Sequence, residues 1–310
     1  MRKLKRKNKK NSKVEKILIS IISVLIVILI GVIALNINKG RTSEVSVNQN
    51  QKEDNNEIKS NIKESDNEQE TDSVIYTSYE NDINADNARD IENMLNKWSY
   101  LREDGKKIAY LTFDDGPSVE TTPKILETLR KNNIKATFFV LGSNVEKSDT
   151  QKELLKEMVK EGHAIGNHGY CHDYSILYPG RVADTTVFIN DMEKSENVMK
   201  SVLGDSFSTK VIRFPGGHMS WKTGDLDKVL EQDGYTYIDW NVLNGDAESN
   251  GRTVEQLINR LKETVTDLAG NDDVLVILMH DTDAKVTTAE SLQQSIDYLK
   301  SLGYEFRTLK

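Results

Sequence analysis

Apolar and polar positions divide this 310-residue chain into three stretches of different character. Ile17–Leu35 is an uncharged run dominated by Ile, Leu and Val, with no polar face. At 1.5 Å rise per residue, a helix of this length matches a hydrocarbon core of about 30 Å. Over residues 36–87 apolar positions almost vanish, and between Asn48 and Ser73 the only aliphatic residues are Ile58 and Ile62. From Ala88 onward, β-type apolar runs alternate with amphipathic helical runs. A short helix over Ala88–Trp98 comes first. Strands are expected at Ile108–Phe113, Ala136–Leu141, Ala164–Asn167, Val211–Phe214, Tyr235–Trp240, Val274–Met279 and Glu305–Thr308. Helices are expected at Pro123–Asn132, Lys152–Glu161, Thr185–Val202, Gly224–Asp233, Val254–Leu268 and Ala289–Leu302. Repeated βα units imply a parallel sheet with helices outside it. About seven strands over roughly 210 residues predict an α/β domain, a distorted (β/α) barrel short of the eightfold form. An open doubly wound sheet is the alternative.

Composition sharpens this division. Hydrophobic residues make up 37% of the chain, low for a fully packed protein of this length, so part of it lies outside any core. The polar stretch 36–87 cannot bury enough apolar area to offset its ordering entropy and reads as a flexible tether. Residues 1–16 hold nine Lys or Arg against Glu15, so with a net charge of −8 overall the rest of the chain carries −16. A basic tip before an apolar run places that tip in the cytoplasm and the remainder outside the membrane. A cleaved signal ending near Val32-Ile33-Ala34 is the rival reading, and it also exports the body. Basic charge on the tip with an acidic body excludes a nucleic-acid footprint. No protein partner is inferred. Cys171 is the sole cysteine, so no internal disulfide framework exists.

Candidate chemistry collects at the C-terminal ends of the expected strands. These ends carry Asp114-Asp115, His168 with His172, Arg213 before Pro215-Gly216-Gly217, Asp239-Trp240, and His280-Asp281. In parallel α/β folds this is the end where sites are built. His168 and His172 with a carboxylate form a two-His-one-carboxylate set that leaves coordination positions open for water and substrate. Of two adjacent aspartates, one can ligate a divalent ion while the other takes a proton from water, whose pKa such an ion lowers from about 15.7 to about 7. Taken alone, Asp114-Asp115-Gly116-Pro117 is also good turn chemistry.

These residues resemble the polysaccharide deacetylases. Thr112-Phe113-Asp114-Asp115-Gly116-Pro117 matches the opening motif of that family. His168-Gly169-Tyr170-Cys171-His172 resembles H-[ST]-x-x-H, and Arg213-Phe214-Pro215-Gly216 resembles R-x-P-[YF]. Asp239-Trp240 resembles the end of D-x-x-D-W, and Leu278-Met279-His280 resembles L-x-H. The resemblance covers about Lys106–Arg307 and is closest to membrane-anchored peptidoglycan N-acetylglucosamine deacetylases. It implies a metal-dependent N-deacetylase in which Asp115, His168 and His172 hold zinc or cobalt. Asp114 would be the general base and His280 the general acid. Arg213 would orient Asp114, and Asp239 would orient His280. The Gly216 N–H would help to bind the oxyanion, and Trp240 and Leu278 would line the acetyl pocket. The implied partner is peptidoglycan or a related N-acetylated polysaccharide. Gly169 departs from the family's Ser or Thr, Gly216 from its aromatic residue, and Thr236 from its first Asp of D-x-x-D-W.

Overall fold

The computed structural model describes residues 76–267 and 272–310. The apolar run Ile17–Leu35, the basic tip and most of the tether lie outside the described residues. Among those described, no helix is long and apolar enough to cross a membrane.

Ten strands occur among them: β1 Ala85–Asp86, β2 Ile108–Asp114, β3 Thr137–Val140, β4 Ala164–Asn167, β5 Val211–Ile212, β6 Thr236–Tyr237, β7 Val242–Leu243, β8 Val274–His280, β9 Glu305–Phe306 and β10 Thr308–Leu309. The main sheet runs β6-β5-β4-β3-β2-β8-β7, with β9 also beside β2, and its pairings are parallel. It curls into a half-barrel; the parallel strands and outer helices are what the alternation of periods predicts. No pairing joins its edge strands β6 and β7 among the described residues.

Of the expected strand Tyr235–Trp240 only Thr236–Tyr237 is a strand, and a second strand follows beyond it at Val242–Leu243. The chain pairs with β5 through Thr236 and Tyr237, bends at Asn241, and then pairs with β8 through Val242 and Leu243. Residues 238–241 cross between the edges, with the Ile238 N–H on Ile212 O and the Asn241 N–H on Val276 O. Nothing in the local apolar pattern marks this change of neighbours.

Strands with both faces covered read as continuous apolar runs, and β2 is buried along its whole length. Side chains still alternate across it. Ala109, Leu111 and Phe113 face the outer helices together with Ile165, Leu275, Ile277 and Met279. Ile108 and Tyr110 face the interior with Phe139, Val211, Val274 and Val276. The helix Ala88–Lys97 adds Ala88, Ile91 and Leu95 to this inner cluster and covers the start of the strands. Outer helices present stripes at helical spacing, such as Ala289, Leu292, Ile296 and Leu299 on Val286–Ser301.

Residues 76–87, assigned by composition to the tether, belong to this fold. The Tyr76 hydroxyl bonds both the N–H and the carbonyl of Ile165. Ala85 and Asp86 pair with Thr308 and Leu309, and Lys310 bridges to Asp82 at 2.8 Å. These contacts join residues from 89 to more than 200 positions apart, beyond the reach of a compositional window.

Candidate active site

The same alternation that sends Ile108 and Tyr110 inward continues to Thr112 and Asp114 on β2. On β8 it runs through Val274 and Val276 to Leu278 and His280. Each inward row is apolar at the base and polar at the mouth. The parallel register sets Asp114 directly opposite His280. The candidate base and acid are thus neighbours across one strand pair.

Arg213 is the largest fully buried side chain. Its Nη1 donates to Asp114 Oδ1 and to Thr112 Oγ1, both at 2.7 Å, and its Nε donates to Ile238 O at 2.7 Å. The guanidinium lies 4.1 Å from the Phe139 ring centroid. A buried guanidinium survives only with its donors satisfied, and here they fix the carboxylate's orientation. Burial pushes Asp114 up, but Arg213, with His168 and His280 behind it, overrides burial and holds the carboxyl below its usual range.

Asp115, His168 and His172 converge so that their ligand atoms lie within 4.8 Å of one another. Asp115 Oδ1 stands 3.5 Å from Nε2 of each histidine. It is buried without a hydrogen-bond partner. The carbonyl of Arg213 lies 2.8 Å from His168 Nδ1, the geometry that leaves Nε2 as the free lone pair. An orphaned carboxylate oxygen between two imidazole nitrogens fits a divalent ion with open positions. Asp115 and His172 adopt left-handed backbone conformations, with φ of 73° and 51°.

The histidine loop answers one departure from the family pattern. A Cβ on Gly169, where φ is +83°, would stand 2.5 Å from Asp191 Oδ2. Asp191, on the helix Thr185–Leu203, accepts the N–H of Tyr170 at 2.7 Å and of Cys171 at 3.2 Å. Its carboxylate thus braces the loop that has lost a hydroxyl. Cys171 itself is an exposed thiol, raised in pKa by partial burial.

The acid side requires a correction. Asp239 does not meet His280. Its carboxylate accepts the backbone N–H of His218 at 2.9 Å and of Met219 at 3.3 Å, bracing the loop behind Gly216. The partner of His280 is Asp246, whose Oδ1 lies 2.8 Å from Nδ1 and whose Oδ2 accepts the His280 N–H at 2.8 Å. Thr288 donates to that carboxylate, and Lys285 donates to the Asp246 carbonyl. Burial pushes His280 down, but Asp246, with Asp114 and Asp115 beyond it, raises the imidazole to about 9. Asp-Trp drew the assignment to 239–240, yet residues 238–241 only cross between sheet edges. Asp246 follows β7, the strand beside β8. The signal available was Asn244-Gly245-Asp246 directly after Val242-Leu243, a short apolar pair ending in turn residues.

Asp281, next to His280, is fully buried and accepts from Thr122 Oγ1 at 2.6 Å. Burial, with Asp115 and Asp114 adding to it, raises its carboxyl to about 7. Leu278 is buried two residues before His280 on the same face. Trp240 rests against Gly217, where a Cβ would come within 2.7 Å of the indole. Gly216 has φ +80°, and its N–H makes no hydrogen bond among the described residues. His218 stacks on Tyr237 at 4.0 Å and bonds Asp227, which makes it a brace of its loop.

A cleft of about 620 Å³ lies away from this cluster, between the helix Ala88–Lys97 and residues 99–104. It borders the start of β8, the end opposite the site, since the Arg102 N–H bonds Asp273.

A half-barrel whose mouth pairs a buried carboxylate with a charged imidazole beside a metal-type triad defines a hydrolase-like centre. Comparison with known proteins gives the family. The polysaccharide deacetylase family model matches residues 102–238. A peptidoglycan-N-acetylglucosamine deacetylase of Bacillus cereus is 32% identical over 68% of this chain and 73% of its own length. The PgdA deacetylase of Listeria monocytogenes is 35% identical over 66% of this chain, which covers only 38% of that relative. Among solved structures, a CE4 esterase of Streptococcus mutans aligns with a TM-score of 0.66 at 38% identity, over 73% of this chain and 92% of that one. The chain belongs to the polysaccharide deacetylase family and is an enzyme of that family.

Proposed function

We propose that this protein removes N-acetyl groups from a cell-wall polysaccharide, with the N-acetylglucosamine of peptidoglycan as substrate and a divalent metal as cofactor. The observation that carries this reading is the opposition of Asp114 and His280 across β2 and β8. At neutral pH one is held ionised by Arg213 and the other is held protonated by Asp246. That is a base and an acid in the protonation states amide hydrolysis needs.

Asp115, His168 and His172 would hold the ion. When bound, zinc or cobalt supplies Lewis acidity, easing loss of a proton from water and polarising the amide carbonyl. The remaining work falls to side chains. Asp114 takes a proton from water as its oxygen attacks the acetamide carbonyl. The free Gly216 N–H receives the developing oxyanion. His280 gives its proton to the departing sugar nitrogen as the carbon–nitrogen bond breaks. The products are acetate and a free amine. Trp240 and Leu278 bound the acetyl methyl.

The relatives named as peptidoglycan-N-acetylglucosamine deacetylases support the choice of sugar. The apolar run Ile17–Leu35 supports an anchored protein with its catalytic domain outside the cell. In the test, the full chain acts on purified peptidoglycan, with acetate as readout, in zinc-loaded, chelator-stripped and Asp114→Asn forms. Release that needs metal and Asp114 is expected, with free glucosamine in the digested product. Free muramic acid instead would correct the sugar. No release from a zinc-loaded chain would sink the reading.

A further inference from the structure

The position after Arg213-Phe214-Pro215 carries glycine where the family pattern has an aromatic residue. Its space is not open. A Cβ on Gly216 would stand 3.1 Å from Tyr174 Oη and 3.2 Å from both Tyr174 Cζ and Trp221 Cζ2. These separations are tighter than ordinary carbon contact. Two rings from elsewhere in the chain therefore fill the volume that a side chain at 216 would need.

The two rings are held differently. Trp221 Nε1 donates to Pro215 O at 2.9 Å. Its indole stacks on Tyr178 at 4.1 Å and 9°, under the guanidinium of Arg181 at 5.4 Å. Tyr174 leans on this fixed stack, with its centroid 5.1 Å from Trp221 and 5.2 Å from the His172 ring. It is 44% exposed, and its hydroxyl makes no hydrogen bond among the described residues. The turn that carries it is set by Asp173, which accepts the N–H groups of Ser175 and Ile176. A half-exposed phenol with a free hydroxyl, backed by a rigid indole and touching a metal-type histidine, presents an apolar wall and one polar tip.

We propose that Tyr174 is a specificity-determining residue that touches the substrate. Its ring limits the length of the acyl group beside Asp115, His168 and His172, and its hydroxyl hydrogen-bonds the sugar bearing that group. This rests on the deacetylase reading above and adds to it a named selector for acetyl over longer acyl groups. Wall and tip make separate demands on the substrate, so they can be removed separately.

The test uses the zinc-loaded full chain as wild type, Tyr174→Ala and Tyr174→Phe. The substrates are tetra-N-acetylchitotetraose and its tetra-N-propionyl counterpart, soluble oligomers of the proposed sugar. One methylene in an apolar pocket is worth about 10-fold or more in discrimination. Tyr174→Ala is therefore expected to raise the propionyl-to-acetyl ratio of kcat/KM by about tenfold. Tyr174→Phe is expected to raise KM for the acetyl oligomer by about fivefold and to leave that ratio unchanged. Zinc content is expected to stay the same in all three proteins. An unchanged ratio in Tyr174→Ala would overturn the wall, and an unchanged KM in Tyr174→Phe would overturn the hydroxyl contact. Loss of zinc from Tyr174→Ala would also overturn the assignment, making the ring a support for His172. If zinc-loaded wild type cleaves neither oligomer nor peptidoglycan, the deacetylase reading itself has failed, and this proposal fails with it.

Discussion

The two halves of the site are built on different scales of the chain. On one side Asp114, Asp115, His168, His172 and Arg213 sit at or just beyond the ends of β2, β4 and β5. Each lies in a short motif whose chemistry is local. On the other side His280 ends β8, but its partner comes from the loop after β7, 34 positions earlier. The first half could be read position by position, and the second could not. A ligand or base is recognised by its own residue type and its strand end. A residue that orients another is recognised only by knowing which strands are neighbours.

The sharpest way to break the comparison is to remove the central member of the first half. Asp114→Asn is expected to lower kcat by about 10³-fold while zinc remains bound, since general base catalysis is typically worth about 10²- to 10⁴-fold. Single-turnover acetate release with metal analysis checks this. Retained activity would mean that another group takes the proton.

The second half is tested by comparing Asp246→Asn with Asp239→Asn. Asp246→Asn is expected to cost about 10- to 100-fold in kcat, the scale on which partners that orient metal-ligating imidazoles act. The sign of its pH effect is fixed. His280 is raised to about 9, so its acid form is present below that pH and lost as pH rises through it. Without the Asp246 carboxylate, burial lowers the imidazole, and the alkaline limb of the rate profile should move to lower pH. Asp239→Asn should leave that limb in place. A shifted limb in Asp239→Asn alone would restore the pairing that the motif suggested.

A smaller effect is expected where Asp191 braces the histidine loop. Asp191→Ala should weaken zinc binding by about tenfold, measured by competition with a chelator. Gly169→Ser should do likewise, because its side chain would collide with that carboxylate. Unchanged affinity in both would show that the loop holds its shape unaided. The smallest change is expected at Cys171, an exposed thiol between the two histidines. Cys171→Ser should alter zinc affinity by less than about twofold, because the exposed Sγ accepts only the Asp173 N–H, at 3.5 Å, which a serine hydroxyl can also accept. A larger loss would make the thiol a participant in the site.

Much of the architecture was legible from periodicity. Buried parallel strands read as unbroken apolar runs, and outer helices as stripes three and four residues apart. The inward parity of β2 and β8 then carried Asp114 and His280 to one mouth. Two features escaped. Tyr76 and the pair Ala85–Asp86 looked like tether because their partners lie at Ile165 and in the last residues of the chain. The expected strand Tyr235–Trp240 reads as one run because nothing in its apolar pattern marks where pairing with β5 ends and the passage to β8 begins.

By itself, then, the sequence determined most of the strands and helices and the residues able to bind metal or move protons. These follow from hydrophobic period and side-chain chemistry, which each position carries with it. Tertiary structure alone decided which carboxylate serves His280, what stands in for the side chains missing at Gly169 and Gly216, and that residues 76–87 pack into the domain. Each of those depends on two segments distant in the chain meeting at hydrogen-bond or van der Waals range, and no local pattern encodes that meeting.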